Sequence, residues 1–297
     1  MAFRTPSAAV LLALVLAPAA STRSGAQSLF DAVAKSRELQ QSPGAKAPDF
    51  VCVNDPRGGL RCSGMLPGNA YPNKVTFFTA AAQPPKDAEI ILYLHGQGAC
   101  DKWLNNSPFG ELLRQSGRTD SILVIPCGQD PWTRDDSAGF QRFWSGVARE
   151  AGLLSGQDAP SIPRALLLAG HSHAGYGLAR ILNFAAAGSY PPIHELVLFD
   201  CSFSDDAADR SYETYAAFGA APGNRLLSVI RVAPDNKKIM AQMDARAAPY
   251  ALLDADAVLA GSARPPDSGA AFMTSAGAGV VHDNIMNLFF PILLARP

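Results

Sequence analysis

From residue 89 onward, short solid apolar runs alternate with longer stretches in which apolar residues recur at helical spacing. The runs at 89–94, 121–126, 165–169, 195–199 and 226–233 lack the apolar–polar alternation of a half-exposed strand. They therefore read as strands buried on both faces. Between them, segments such as Phe140 to Leu154 and Asn236 to Arg246 read as helices. Behind 165–169, Leu178, Ile181, Leu182 and Ala185 fall at i, i+3, i+4, i+7, and Gly188 ends that helix. Strand and helix in alternation predict an α/β domain with a doubly wound, mostly parallel sheet. Val75 to Phe78 and Phe50 to Val53 add antiparallel strands at the start, and Ala271 to Thr274 a last strand. Ile285 to Leu294 reads as a terminal helix until Pro291 bends it. The segment 200–225 is short for a cap domain, so an open or lightly lidded site without a large cap is expected.

The N-terminus follows a different pattern. Met1-Ala2-Phe3-Arg4 supplies a positive start, Ala8 to Ala17 an apolar core, and Ala17-Pro18-Ala19 and Ser24-Gly25-Ala26 cleavage sites. The core is too short to cross a bilayer as a helix, so residues 1–26 read as a secretory signal peptide. Residues 27–48 read as an N-terminal arm and 49–297 as the folded domain. The mature chain is expected to be secreted or periplasmic, with no integral membrane segment.

Composition narrows the possibilities. A formal net charge of −1, with no basic stripe interleaved with aromatics, argues against nucleic acid as a partner. Neither C-x-x-C nor H-E-x-x-H spacing occurs, so no metal site is expected, and no cofactor is implied. The five cysteines suit an exported protein. Cys52 and Cys62 flank a turn-rich segment that reads as a disulfide-closed hairpin. Cys100 and Cys127 both lie at strand ends, where a bridge would brace the rim of a site. Cys201 is left over as a buried thiol.

The candidate chemistry sits at strand ends. Gly170-His171-Ser172-His173-Ala174-Gly175 follows the run 165–169 and opens a helix, the context of a nucleophile elbow, in which a sharp turn exposes a serine hydroxyl. Glu89 to Leu94 ends in His95-Gly96-Gln97-Gly98. His282 follows the last predicted strand and a flexible, glycine-rich stretch. Two acids close strands: Asp235 after Leu227 to Arg231, and Asp200 after Leu196 to Phe199. On position, Asp235 is preferred.

From about residue 50 to 297 these motifs together resemble the α/β-hydrolase superfamily. The resemblance implies a serine hydrolase with Ser172 as nucleophile, His282 as general base and Asp235 or Asp200 as the acid, in the order serine, acid, histidine. It implies an oxyanion hole from the backbone N–H groups of Gln97 and His173, with His95 bracing the loop. More narrowly, H-S-x-x-G-Y with a strand ending in Leu-Phe-Asp is similar to a set of bacterial hydrolases whose motif reads H-S-G-G-Y. Here His173 and Ala174 stand at the two glycine positions, and this narrower pattern favours Asp200. The implied activity is carboxylic ester hydrolysis, on a small-molecule or polymer ester. The alternatives are a peptidase or amidase with the same triad, or a non-catalytic binding protein on the hydrolase fold. The stretch from Pro131-Trp132 to Phe143-Trp144 would supply substrate contacts, or, for Phe143 and Trp144, core packing.

Overall fold

The computed structural model describes residues 50–295 apart from 56–57, 67–73, 82, 97–99, 101–103, 106, 129–136, 162, 188–191, 202–210, 232–233, 276 and 278. The expected signal peptide and N-terminal arm, and with them Gln97, Pro131 and Trp132, lie outside the described residues.

Ten strands form one sheet: β1 (Phe50–Asn54), β2 (Leu60–Met65), β3 (Lys74–Thr79), β4 (Glu89–Leu94), β5 (Ser121–Cys127), β6 (Leu166–His171), β7 (Ile193–Phe199), β8 (Arg225–Ile230), β9 (Tyr250–Asp254) and β10 (Gly269–Thr274). Their spatial order is β1-β2-β3-β5-β4-β6-β7-β8-β10-β9. The first three strands join antiparallel, and every pairing from β5 to β9 is parallel. The sheet is mixed and mostly parallel, flanked by helices on both faces, as the alternating pattern predicts.

Seven helices are described: α1 (Phe109–Gln115), α2 (Ser137–Leu154), α3 (Gly175–Ala187), α4 (Ser211–Ala220), α5 (Pro234–Asp244), α6 (Ala255–Leu259) and α7 (Ile285–Leu293). Alternation along each strand divides the core in two. Ile90, Leu92, Leu168 and Leu198 pack with α2 to α5 through Phe140, Leu178, Tyr215 and Ile239. Ile91, Tyr93, Ala169 and Phe199 pack with α1, α6 and α7 through Phe109, Val258 and Phe289. Phe143 and Trp144 belong to the first core, so they are packing residues of α2 and not substrate contacts.

Four elements depart from the expected pattern. β8 stops at Ile230 rather than running to Ala233. Pro234 opens α5, where its missing N–H costs nothing, and Asp235 falls in the first turn of that helix. α4 occupies the segment considered too short for a cap, and its buried Tyr215 and Ala216 lay it on the sheet. α7 continues past Pro291 to Leu293. Its last turn is held from outside, because Arg118 donates to the Leu294 carbonyl and Arg225 donates to that of Leu293 at 3.1 Å.

Those two arginines belong to a buried ionic cluster at the N-terminal edge of the parallel strands. Arg118 pairs with Glu89 and, at 2.6 Å, with Glu195; Arg225 pairs with the other Glu195 oxygen at 2.7 Å. Neutralising partners and carbonyl acceptors satisfy charges that would otherwise be costly to bury. The cluster anchors the C-terminal end of α7, and the loop bearing His282 leads into the other end of that helix.

Candidate active site

Strand order reverses around β4. The chain leaves β4 toward β5 on one side and returns to β6 on the other, with α1 and α3 on opposite faces. Connections that diverge to opposite faces open a crevice outside the carboxyl ends of adjacent strands, the general ligand position of open α/β sheets. The β4 end carries His95 and Gly96; the β6 end carries His171 and Ser172.

Ser172 opens a single 3-10 turn, Ser172–Ala174, between β6 and α3. Its φ of 58° is left-handed, a costly conformation for a non-glycine residue that the surrounding turn must enforce. The neighbours leave room for it. A Cβ added to Gly96 would lie 2.8 Å from the Ser172 Cβ, so only glycine lets the β4 loop pass so close beneath the serine. A Cβ on Gly170 would meet Leu178 at 2.7 Å and the Ala174 Cβ at 2.9 Å. The methyl of Ala174, which departs from the usual second glycine, uses space that Gly170 leaves. Tyr215 donates its hydroxyl hydrogen to the Gly175 carbonyl and ties down the start of α3.

On the β4 loop, His95 Nδ1 donates to the Gly96 carbonyl at 2.6 Å, the bracing expected of it. The Cys100–Cys127 disulfide ties the chain just after this loop to the end of β5, and Cys52–Cys62 cross-links β1 to β2. Cys201 is a buried free thiol that donates to the Gly170 carbonyl at 3.3 Å. Burial drives its pKa far up, so it stays protonated.

His282 Nδ1 lies 2.6 Å from Asp200 Oδ2. Asp200 also has a left-handed φ, 45°, directly after β7; its N–H donates to the Val229 carbonyl at 2.7 Å. Its second oxygen, Oδ1, accepts the Arg231 N–H at 2.9 Å. Burial raises the Asp200 carboxyl, but the bonds from His282 and Arg231 and the facing histidines outweigh it and hold the group below its usual range. A carboxylate that accepts from Nδ1 fixes the hydrogen there and leaves Nε2 as the acceptor. The loop behind His282 is held by Asn284, which accepts the Val281 N–H and donates to the Gly279 carbonyl, both at 2.8 Å.

Asp235, preferred on sequence position, meets other partners. It accepts the Tyr212 hydroxyl at 2.8 Å and lies 4.0 Å from Lys238 Nζ. Burial and this bond push Tyr212 up to about 12, so the phenol remains a donor. The structure thus pairs His282 with Asp200, not with Asp235. His173, whose N–H is the second expected oxyanion donor, sits in the turn after Ser172, with its ring 5.0 Å from that of Tyr176.

His171 was not singled out from the sequence. It is buried at the end of β6, with Nε2 2.8 Å from the His282 carbonyl oxygen and its ring centroid 4.4 Å from that of His282. Burial, and then the facing His282, lower its pKa to about 4. The signal available in sequence was strand parity: counting in twos from Leu167 and Ala169 puts His171 on the α7 face. Among the described residues no group of histidine, cysteine, aspartate or glutamate could hold a metal ion, and no helix is long and apolar enough to cross a membrane.

No protein-family model matches this chain, and no curated protein matches it in sequence. Solved structures do. A mutant of the feruloyl esterase module from Clostridium thermocellum, complexed with sinapinate, superposes with a TM-score of 0.51 at 13% identity, covering 82% of this chain and 89% of that one. An S-formylglutathione hydrolase from Agrobacterium tumefaciens gives 0.48 at 15% identity, over 82% and 96%. At 13% identity the first likeness is one of architecture. The chain has the fold of the α/β-hydrolase superfamily.

Proposed function

We propose that the protein is an exported serine hydrolase that cleaves carboxylic esters through an acyl-enzyme, with Ser172 as nucleophile, His282 as base and Asp200 as acid. The observation that carries this is the 2.6 Å bond from His282 Nδ1 to Asp200, formed at the strand edge where Ser172 stands in a left-handed turn. Export is supported by the two disulfides together with the basic and apolar N-terminus. Ester substrates are supported by the shared architecture of the feruloyl esterase module.

A serine hydroxyl becomes a competent nucleophile when a base takes its proton as it attacks. His282 Nε2 accepts that proton, Asp200 stabilises the imidazolium, and Ser172 Oγ bonds to the ester carbonyl carbon. The carbonyl oxygen becomes an oxyanion facing the N–H groups of His173 and Gln97. His282 then returns the proton to the departing alkoxide, which leaves as the alcohol. Water repeats the sequence on the acyl-serine and releases the acid.

Labelling with a fluorophosphonate probe, followed by mapping of the modified residue, tests this. Wild-type protein should be modified at Ser172 and should hydrolyse p-nitrophenyl acetate, and Ser172→Ala should lose both while keeping its melting temperature. Probe uptake that persists in Ser172→Ala, or a folded wild type inert to both reagents, refutes the assignment.

A further inference from the structure

Alternation along β6 sends Leu166 and Leu168 to the α2–α3 face and Leu167 and Ala169 to the α1–α7 face. His171 continues the second series, so its ring emerges beneath the loop carrying His282. There its Nε2 lies 2.8 Å from the His282 carbonyl oxygen, and the two imidazoles are 4.4 Å apart, inclined by 34°. A carbonyl oxygen only accepts, so His171 Nε2 carries the hydrogen and donates. The other ring nitrogen faces the β4 loop, since a Cβ added to Gly96 would lie 3.3 Å from His171 Nδ1. One buried ring therefore touches the glycine loop, precedes the serine turn and holds the base loop.

We propose that His171 is a positioning residue for His282: a neutral Nε2–H donor that fixes the height and tilt of the base over the serine turn. Asp200 grips His282 at one ring edge, about which the imidazole can still swing. A bond to the backbone carbonyl of His282, with a second ring 4.4 Å away and inclined by 34°, limits that freedom. The titratable groups that face His171 are His282, Asp200 and Asp283. Burial outweighs the two carboxylates and holds the His171 ring in its neutral donor form.

This role presupposes the Ser172–His282 chemistry, and the experiment separates the two. Probe-labelling rates and p-nitrophenyl acetate kinetics are compared for wild type, His171→Phe and His171→Gln. A wild type that takes up no probe removes the chemistry itself, and the role with it. Misplacing a catalytic group by about 1 Å costs on the order of 10²-fold. His171→Phe, which keeps ring volume without the donor, is therefore expected to lose about 10- to 100-fold in kcat and labelling rate, with KM little changed. His171→Gln, which keeps an N–H donor, should recover most of that loss. A His171→Phe enzyme at wild-type kcat, a loss carried by KM, or a His171→Gln as impaired as His171→Phe overturns the role. Should His171→Phe not fold, nitrogen NMR of histidine-labelled wild type decides. His171 must show the neutral Nε2–H tautomer from about pH 5 to about pH 8, and an Nδ1–H tautomer or a charged ring there overturns it.

Discussion

Replacing Asp200 by asparagine should abolish the proposed ester hydrolysis without unfolding the protein, and the hydrogen bonds around the carboxylate say why. Oδ1 accepts the Arg231 N–H at 2.9 Å, and Oδ2 accepts His282 Nδ1–H at 2.6 Å. The Arg231 donor is backbone and has no alternative orientation. An asparagine at 200 must present its amide oxygen to that N–H, which turns its NH2 toward His282. Two donors then face each other across the short contact. The imidazole can relieve this by moving its hydrogen to Nε2, the tautomer that cannot take a proton from Ser172. A wrong-tautomer triad of this kind loses roughly 10⁴-fold in kcat, about 5.5 kcal/mol of transition-state stabilisation. Losing one charge-assisted bond should cost about 1.5–3 kcal/mol of stability, which leaves the fold intact. The assay is p-nitrophenyl acetate turnover and probe labelling of Asp200→Asn beside Asp235→Asn, with melting temperatures for both. Asp235→Asn disturbs only the Tyr212 and Lys238 contacts and should stay within about tenfold of wild type. An Asp200→Asn enzyme within tenfold of wild type, or an Asp235→Asn enzyme as impaired as Asp200→Asn, would refute the pairing as the catalytic one.

Gly96→Ala places a methyl 2.8 Å from the Ser172 Cβ, so kcat should fall by at least about tenfold while far-ultraviolet circular dichroism stays native; unchanged kcat would show that the β4 loop is not held beneath the serine. His171 makes the fold acid-sensitive. Its pKa of about 4 lies below the ordinary 6.5, so the unfolded chain takes up a proton first as pH falls. Its contribution is fully present above about pH 6.5, and about 3 kcal/mol is lost by pH 4. Urea unfolding of wild type and His171→Gln at pH 7 and pH 4 checks this, since equal losses in the two proteins would contradict it. Thiol titration of denatured, unreduced protein should find Cys201 alone, and five thiols after reduction. Opening the Cys52–Cys62 loop should cost about 3 kcal/mol in the chain-entropy picture, measured by unfolding with and without reductant.

Much of this architecture was legible because its signals are local. Solid apolar runs such as Ile90 to Leu94 and Leu166 to Ala169 are forced to be strands covered on both faces, whatever lies around them. Glycine before a serine between strand and helix announces a tight turn, and both cysteine pairs sat at segment ends that a bridge joins. Half-buried elements were less visible. β9 alternates intermediate and exposed positions at the sheet edge, and α4 lacks a clear apolar stripe. The partner of His282 depended on tertiary structure outright. Asp200 and Asp235 both follow apolar runs; position favours Asp235 and the Leu-Phe-Asp pattern favours Asp200, so the sequence leaves the choice open. What separates them is that β8 ends at Ile230, which consigns Asp235 to the first turn of α5, while a left-handed turn after β7 aims Asp200 at the loop entering α7. Sequence periodicity determines which residues are buried and which turns are tight. Which buried polar groups meet across segments dozens of residues apart is decided by the packing of the elements that carry them, because hydrogen bonds act at three ångströms and carry no signature along the chain.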